Sequence, residues 1–420
     1  MSFRSIHIIG GGTVSHVRNH LAICTPAYGG TARQLQCLVE ENLHTKRLST
    51  SEKPDVELHL TRMAGGNAGE TNEDIGILVD TLVKSIDTHV VFFNVALCDW
   101  SGDILTKMPP PLAGKYAPRL QTRFGRQRMN LLPQEKLLSR FRAQRKDVFL
   151  VAFKTTCGAT EDEQFVAGLE LLKTNSCNLV LANDTFTRTN MVITPEQSRY
   201  NVTTDRSQAL KILVEMALSR SQGTFTRSVI VDGKSIDWNS LDVPEALRAV
   251  VNHCVSRGAY PLFNGKSVGH FAFKAAPETF YTSKRKTDFS QLDNTGLVKI
   301  ESSGSDSVIA YGARPSVGGM SQRIIFSEHP QYDSIIHFHC ERKPNSNVPR
   351  ATQWENECGS HQCGQNTSSN LRQVGPGISC VYLDNHGPNI VFNSSVTKPQ
   401  EVIDFIEANF DLTLSTSGLR

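Results

Sequence analysis

Three histidines in the C-terminal half have the side-chain type and spacing needed to bind a metal ion. The segment Ile335–His339 alternates like a β-strand, so His337 and His339 would point to the same face. His386 follows a second predicted strand and supplies a third imidazole. Three histidines with an open fourth position are typical of a catalytic Zn²⁺, with Mn²⁺ and Fe²⁺ as alternatives. Ordinary hydrogen bonding in a half-buried strand is the other interpretation.

A second group of reactive residue types lies between the two parts of this predicted metal site. Cys358, His361 and Cys363 fall within one short segment. They could form a zinc site of their own, or contribute to the first site together with the neighbouring Glu357. We therefore treat His361, Cys363 and Glu357 as candidate catalytic residues. A surface loop without chemistry is the alternative.

Glycines near the N-terminus predict a loop that binds phosphate. Gly11, Gly12 and Thr13 follow a short apolar run. Glycines there would let the backbone approach an anion, and the amides and the hydroxyl would bond its oxygens. Gly29 and Gly30 precede the next predicted helix and offer a second loop of the same kind. A tight turn between a strand and a helix is the structural alternative.

Polar or aromatic residues stand at the carboxyl ends of several predicted strands in the first half. Asp99 follows one apolar run, Phe153 and Lys154 end another, and Asn183 and Asp184 end a third. Ligands of open α/β sheets bind at this edge of the sheet. We therefore predict that these five residues contact a nucleotide.

The elements that must position these residues differ between the two halves. Strand-like and helix-like segments alternate in the first half, which predicts a Rossmann-like parallel sheet covered on both faces. A polar linker follows, and we place two domains at 1–222 and 223–420. The second is predicted to begin with a helix at 243–258, to continue with shorter strands and to close with a helix at 399–409. Both domains are therefore α/β.

Length and composition limit the class of protein. A chain of 420 residues with a net charge of +3 is long enough for more than one domain and gives no reason to expect nucleic acid as a partner. No apolar stretch approaches the roughly 18 residues of a membrane span. The ten cysteines lack the spacing of a disulfide framework, and the N-terminus lacks an export signal. These features predict a cytoplasmic protein with reduced thiols.

In their order along the chain, the motifs of the first half resemble the phosphopantothenate–cysteine ligase family. The resemblance covers roughly residues 4–220. The matching segments are Gly11–Thr13, Val95–Trp100, Phe153–Thr156 and Ala182–Asp184. The resemblance implies that a nucleoside triphosphate, ATP or CTP, activates a carboxylate.

The same resemblance assigns a lysine and exposes one departure. Lys115 matches the family lysine at the triphosphate, where its charge would stabilise the leaving group. Ala22 stands where the family has its catalytic asparagine. Asn19 or His20 would have to replace that side chain, which requires a rebuilt loop.

The second half resembles the class II aldolase and adducin domain family over roughly residues 240–412. The segments that match, besides the histidines, are Ser267–Lys274, Phe280–Ser283, Gly312–Ser316 and Asp384–Gly387. The resemblance implies a divalent metal on the three histidines. It also implies substrate contacts by Thr282, Ser283 and Ser316.

Two positions depart from the aldolase pattern. Gly318 stands where active members have a glutamate that works as general acid/base, and a glycine cannot move a proton. Gly269 and His270 replace the first two residues of the family's Gly-Asn phosphate motif. Glu328 or Glu357 would have to supply the missing carboxylate.

Two hypotheses follow. In the first, the chain is a bifunctional enzyme with a nucleotide-dependent, ligase-like site and a metal-dependent site that stabilises an enediolate, as a lyase, epimerase or aldolase does. Its substrate would be a small phosphorylated or nucleotide-linked molecule. In the second, the chain is a regulatory or scaffold protein with a nucleotide sensor and a structural metal. Both resemblances imply a homo-oligomer.

Overall fold

The chain divides into two units. The N-terminal unit contains Met1–Ile193 and Asn201–Ser221, and the C-terminal unit contains Thr194–Tyr200 and Gln222–Arg420. This computed structural model describes residues 5–45, 53–104, 114–225, 227–302, 307–316 and 319–418. Within those ranges, no helix is long and apolar enough to cross a membrane.

Eleven strands and five α-helices are described in the first half of the chain. The strands are β1 (Ser5–Gly12), β2 (Val14–Arg18), β3 (Leu21–Cys24), β4 (Asp55–Leu60), β5 (Thr88–Ala96), β6 (Trp100–Asp103), β7 (Asn130–Pro133), β8 (Phe149–Thr156), β9 (Leu179–Asp184), β10 (Asn190–Ile193) and β11 (Arg199–Thr203). The helices are α1 (Gly30–Thr45), α2 (Asn72–Lys84), α3 (Leu138–Gln144), α4 (Glu161–Asn175) and α5 (Arg206–Arg220).

Seven of these strands form one sheet in the order β11-β10-β9-β8-β5-β1-β4. The strands from β9 to β4 run parallel, and β10 runs antiparallel beside β9. Strand β1 is buried on both faces, as Ile6, Ile8 and Ile9 show by their complete burial. A continuous apolar run is what a covered parallel strand requires. The predicted parallel sheet is confirmed.

The glycine segment differs from the prediction. Strand β1 continues through Gly12, and the chain then forms the β2–β3 hairpin before helix α1 begins at Gly30. Gly11 has a φ of 104°, a conformation that favours glycine, and a Cβ there would collide with Thr61. These glycines therefore serve close packing inside the sheet.

Fourteen strands and five α-helices are described in the second half. The strands are β12 (Arg227–Val231), β13 (Leu262–Phe263), β14 (Lys266–Ser267), β15 (His270–Ala276), β16 (Thr279–Ser283), β17 (Leu297–Glu301), β18 (Ser307–Tyr311), β19 (Ser334–His337), β20 (Cys340–Arg342), β21 (Arg350–Ala351), β22 (Arg372–Gly375), β23 (Ile378–Leu383), β24 (Gly387–Phe392) and β25 (Phe410–Ser415). The helices are α6 (Glu245–Ser256), α7 (Leu292–Thr295), α8 (Gly319–Glu328), α9 (His361–Asn370) and α10 (Pro399–Asn409).

The main sheet of the C-terminal unit is mostly antiparallel. Its order is β12-β18-β17-β16-β15-β19-β24-β23-β21, and β22 pairs with β23. Alternate residues enter two apolar cores. Phe271 and Ile336 join the core that contains helices α6 and α10, whereas Ala272 and Ile335 join the core that contains Ile325 of helix α8. By the same alternation, His337 lies on the α8 face.

The α/β class predicted for both halves is confirmed, and two local predictions are corrected. Strand β19 ends at His337, so His339 lies beyond the strand. The Cys358–Cys363 segment is only partly a loop, because helix α9 begins at His361 with Ser360 as its N-cap. Ser360 accepts a hydrogen bond from the Cys363 amide, as N-cap serines do.

Candidate metal centre and nucleotide site

The structure brings His337, His339 and His386 together. One ligand atom from each lies within 4.8 Å of the other two. The ring centroids are 4.6 to 5.0 Å apart. The three residues are only 1%, 5% and 2% exposed, respectively. The three imidazoles therefore form one buried cluster.

The turn between β23 and β24 positions the third imidazole. Asn385 and Gly387 have φ values of 58° and 119°, which frame His386 in a tight turn. A Cβ on Gly387 would collide with the carbonyl oxygen of Phe338. The absence of a side chain at Gly387 therefore lets this turn approach the backbone next to His339.

The hydrogen bonding of His337 fits the residue for metal binding. Its Nδ1 donates to the Pro388 carbonyl at 2.8 Å, which directs Nε2 away as the second ring nitrogen. That Nε2 is buried and has no hydrogen-bond partner among the described residues. Burial lowers the pKa of His337 to about 4, although the bond to Pro388 opposes this shift. The imidazole is therefore neutral at pH 7, with a lone pair on Nε2.

A fourth imidazole borders the cluster and was not predicted from the sequence as a site residue. His270 pairs with His337 across β15 and β19, and their ring centroids are 4.7 Å apart. Gln322 of helix α8 lies 2.7 Å from His270 through its Nε2 and the ring Nδ1. The position of His270 at the start of an alternating strand is the sequence feature that could have identified it as a site residue.

The residues predicted to bind substrate lie at the end of strand β16 and in the segment that pairs with it. Ser316 donates its amide to the Ser283 carbonyl at 2.9 Å, so their two segments run side by side. The Ser283 hydroxyl is buried and has no hydrogen-bond partner among the described residues. Thr282 differs, because its hydroxyl donates to the Phe271 carbonyl at 3.2 Å.

Two guanidinium groups accompany this serine pair. The Arg285 amide donates to the Arg314 carbonyl at 3.0 Å. Desolvation and then the Arg314 charge lower the pKa of Arg285. Arg285 and Arg314 each stand two residues along the chain from a serine of this pair, and two interacting cations suit an anion such as a phosphate.

Cys363 lies near the beginning of helix α9 among hydrogen-bond donors. Gln353 Nε2 donates to its Sγ at 3.1 Å. The hydrogen bond from Cys358 lowers the pKa of Cys363 below the ordinary thiol range; desolvation opposes this, while Gln353 and the Gly359 amide add to it. Cys363 therefore has the environment of a stabilised thiolate.

The other candidate catalytic residues lie apart from the histidine cluster. His361 lines a cavity of about 430 Å³ whose walls include Glu328. Glu357 is buried and accepts the Ser360 amide through its carbonyl. Among the described histidines, cysteines and acidic residues, none joins the cluster closely enough to act as a fourth ligand. Gly318 lies outside the described residues.

In the N-terminal unit, the predicted phosphate-binding groups of the glycine segment already have partners. The Gly12 amide donates to the Ala27 carbonyl at 2.7 Å, and the Thr13 amide donates to the Ala96 carbonyl at 3.0 Å. The Thr13 hydroxyl donates to Asn72 at 2.6 Å and accepts the Cys98 amide at 2.9 Å. Thr13 is completely buried. A phosphate would have to displace these bonds to use the same atoms.

Lys115 lies beside the Glu70 carboxylate together with two other basic side chains. Its Nζ donates to Glu70 at 2.9 Å, and His16 and Arg62 lie 3.4 and 3.7 Å from the same carboxylate group. The hydrogen bond from Lys115 lowers the pKa of Glu70. Ala22 pairs with His16 in the β2–β3 hairpin, so the predicted departure lies near this group.

The remaining predicted nucleotide contacts occupy two kinds of environment. Asp184 is buried and accepts hydrogen bonds from two loops, from the Thr187 amide in its own loop and from the Ala159 amide in the loop after β8. Desolvation raises the pKa of Asp184, but these bonds outweigh it and lower the pKa. Its role in the structure is to hold these two loops together.

Other predicted contacts are more accessible. Asp99 is exposed and forms an ion pair with Lys136. Phe153, Lys154 and Asn183 are half-buried at the carboxyl ends of β8 and β9. Gly29 and Gly30 precede and open helix α1, and a Cβ on Gly30 would meet open space.

The two resemblances in the sequence recur among solved structures, at low identity. The first half is similar to the DNA/pantothenate metabolism flavoprotein from Streptococcus pneumoniae, with 16% identity, 51% of this chain and 99% of that chain covered, and a TM-score of 0.39. It is also similar to the C-terminal domain of the coenzyme A biosynthesis bifunctional protein CoaBC, with 14% identity, 52% and 96% covered, and a TM-score of 0.35. The second half is similar to L-fuculose 1-phosphate aldolase, with 18% identity, 40% and 85% covered, and a TM-score of 0.30.

No protein-family model matches the chain. No curated protein matches it either.

Proposed function

We propose that the C-terminal unit contains the active site of a metal-dependent enzyme, of the lyase, epimerase or aldolase kind. The observation that carries this proposal is the convergence of three imidazole nitrogens within 4.8 Å, on His337, His339 and His386. Neutral imidazoles are the ligand form that Zn²⁺ and related ions require. When bound, such an ion supplies a Lewis acid that polarises a carbonyl oxygen.

The chain's own residues would hold and orient the ligands. The Pro388 carbonyl fixes the His337 ring through Nδ1, and the Gly387 turn holds His386 against the backbone beside His339. A backbone carbonyl in this role makes the imidazole a better ligand and keeps its orientation. The cluster is also nearly closed to bulk water, which strengthens electrostatic interactions within it.

The segments that contain Ser283 and Ser316 would bind the phosphate end of the substrate. Strand β15 lies between β16 and β19, and Ala272 pairs with both Thr282 and Ile335. Ser283 therefore ends its strand about two strand spacings, roughly 10 Å, from His337, and the alternation directs its side chain to the opposite face of the sheet. A phosphorylated substrate that contacts both residues would have to extend past the beginning of strand β15. His270 lies on the strand between the two ends.

For the N-terminal unit, we infer a nucleoside triphosphate site at the Lys115 group. The support is the convergence of Lys115, Arg62 and His16 on Glu70. The cations Lys115 and Arg62 suit a polyphosphate once the Glu70 carboxylate moves aside, whereas the internal bonds of Thr13 make the glycine segment a weaker anchor. ATP and CTP should be compared for protection against thermal unfolding. Absence of a shift with either nucleotide would refute this inference.

Metal analysis tests the proposal for the C-terminal unit. The wild-type chain should bind a divalent ion that His339→Ala loses, while the matched control His253→Ala retains it. His253 pairs with Glu407 and lies outside the cluster. If wild type and His339→Ala bind the same amount of metal with the same affinity, the proposal is wrong.

The burial of the cluster favours a second candidate. Three ligands that are at most 5% exposed also suit a structural ion in a regulatory or scaffold protein. The two candidates differ in the effect of Ser283→Ala combined with Arg285→Ala. A catalytic site predicts that this variant keeps the metal but loses binding of a phosphorylated carbonyl compound, whereas a structural ion predicts no such binding in wild type.

A further inference from the structure

A second group of possible metal ligands lies in the N-terminal unit, on the strands β1 and β4. His7 of β1 pairs in register with Glu57 of β4, and His59 lies two residues further along β4. His7 Nδ1 is 3.1 Å from His59 Nε2 and 3.7 Å from Glu57 Oε2. The third side of this triangle, from His59 Nε2 to Glu57 Oε2, is 3.6 Å.

These separations match the geometry of a small tetrahedral site. Ligand atoms about 2.0–2.1 Å from a zinc ion in tetrahedral coordination are roughly 3.3–3.4 Å from one another. The three measured sides, from 3.1 to 3.7 Å, bracket that value. Small side-chain movements would therefore complete the site without a change in either strand.

A hydrogen-bond relay orients the ring of His7. The Ser5 hydroxyl donates to the Asp87 carbonyl at 2.8 Å, so its oxygen is free to accept the hydrogen of His7 Nε2, also at 2.8 Å. A proton on Nε2 leaves the lone pair of the neutral ring on Nδ1, the atom that faces His59 and Glu57. In metal sites, the ring nitrogen of a histidine that does not bind the metal commonly donates a hydrogen bond of this kind, which orients the ring.

Burial and access also suit an ion. The side chains of His7 and His59 are 5% and 19% exposed, and that of Glu57 is 52% exposed. Desolvation lowers the pKa of both histidines, although the Glu57 charge opposes it. The exposed carboxylate leaves an entry path from solvent and supplies a negative charge for a cation.

We propose that His7, Glu57 and His59 bind a divalent transition-metal ion, with Zn²⁺ as the best-fitting ion and water in the fourth position. Two imidazoles and one carboxylate are a ligand set that Zn²⁺ accepts. The site joins the edge strand β4 to β1, with His7 and Glu57 as the third residue of each strand and His59 two residues further along β4. The Lys115 group is not part of it. The ion therefore links the edge strand β4 to β1 and stabilises the N-terminal unit.

Zinc titration of four full-length chains tests this proposal independently of the histidine cluster in the C-terminal unit. The variant His339→Ala removes that other cluster, so any remaining zinc should depend on His59. We expect His339→Ala to bind one Zn²⁺ and to gain thermal stability with it. Adding His59→Gln should weaken this binding at least about tenfold and remove the gain in stability.

Two further variants make the result specific. Adding Glu57→Gln, at an exposed position, should also weaken zinc binding, whereas adding His44→Gln at an exposed histidine should not. Co²⁺ in place of zinc should give the visible absorption of a tetrahedral site only when His59 is present. The proposal is overturned if His339→Ala binds no zinc. It is also overturned if adding His59→Gln and adding Glu57→Gln both leave the zinc affinity of His339→Ala unchanged. An ion that His339→Ala binds, and that the chain with both His339→Ala and His59→Gln does not, supports the proposal even where the C-terminal proposal fails.

Discussion

The histidine cluster of the C-terminal unit and the glycine segment of the N-terminal unit contain equally suggestive residues, but their polar atoms are used differently. His337 Nε2 is buried without a hydrogen-bond partner among the described residues, and two other imidazoles face it. Thr13 donates to one buried partner and accepts from another. A buried polar atom without a protein partner is costly unless a ligand binds it.

A residue can be of a type that binds ligands and still have its polar atoms occupied by hydrogen bonds within the protein. Gly12 and Thr13 have the types that phosphate loops use, yet their amides bond to the carbonyls of Ala27 and Ala96. His337 uses Nδ1 for a backbone bond and thereby directs its other nitrogen toward the cluster.

The largest effect is expected at the metal cluster. His386→Ala removes one of three ligands and should lower the affinity for Zn²⁺ at this cluster at least about 100-fold. Isothermal titration with a competing chelator measures the change, and His253→Ala serves as the control. Unchanged affinity in His386→Ala would remove this residue from the proposed ligand set.

The next largest effect concerns the glycine segment. Thr13→Val replaces a buried hydroxyl and deprives Asn72 and the Cys98 amide of a partner, so it should lower the free energy of unfolding by about 1–3 kcal/mol. Urea denaturation measures this loss. Thr81→Val, at an exposed position on helix α2, is the matched control and should stay within about 0.5 kcal/mol. A loss no larger than the control's would contradict the structural role of Thr13.

A pH dependence is expected at Cys363. Its folded-state pKa is lowered, so the thiolate contributes stability that is present above the unfolded pKa of about 8.5 and is lost as pH falls through the folded value. The free energy of unfolding of wild type relative to Cys363→Ser should therefore fall as pH is lowered from about 9.

Cys254 provides the control of opposite sign for this pH dependence. Burial raises the pKa of Cys254 to about 12, so its contribution to stability should instead be lost as pH rises above the unfolded value. Denaturation at several pH values and the ultraviolet absorbance of thiolates check both trends. Parallel pH profiles for the Cys363→Ser and Cys254→Ser variants would contradict the account of Cys363.

The smallest effect on stability is expected at Lys115. Its ion pair with Glu70 is partly exposed, so Lys115→Ala should change the free energy of unfolding by less than about 1 kcal/mol. If the nucleotide inference is correct, the same variant should lose most of the thermal protection by ATP or CTP, whereas Lys146→Ala should retain it. Equal protection of both variants by a nucleotide that protects wild type would exclude Lys115 from the site.

Local patterns predicted much of the fold and part of the candidate site. Helix α10 was predicted with its observed bounds, because its apolar spacing and terminal signals are local. The proximity of His337 to His339 follows from two-residue spacing, even though β19 ends at His337. Helix α9 was missed because its sequence is mostly polar, and only the N-cap Ser360 signals it.

Features that depend on pairing between distant segments were not predictable. The bonds of Thr13 involve Asn72 and Cys98, which reach it only after the sheet forms. Likewise, the sequence alone did not place β4 beside β1, so the contact between His7 and His59 was missed. Alternation reveals which residues share a face, but strand order decides which faces meet.

The central claim is that His337, His339 and His386 bind a metal ion, and anomalous diffraction from crystals grown with Zn²⁺ tests it most directly. We predict an anomalous peak at the zinc absorption edge within about 2.0–2.2 Å of one nitrogen of each imidazole. For His337 that nitrogen should be Nε2, because Nδ1 bonds to the Pro388 carbonyl. A map without a peak among the three rings, from a chain saturated with zinc, would contradict the account.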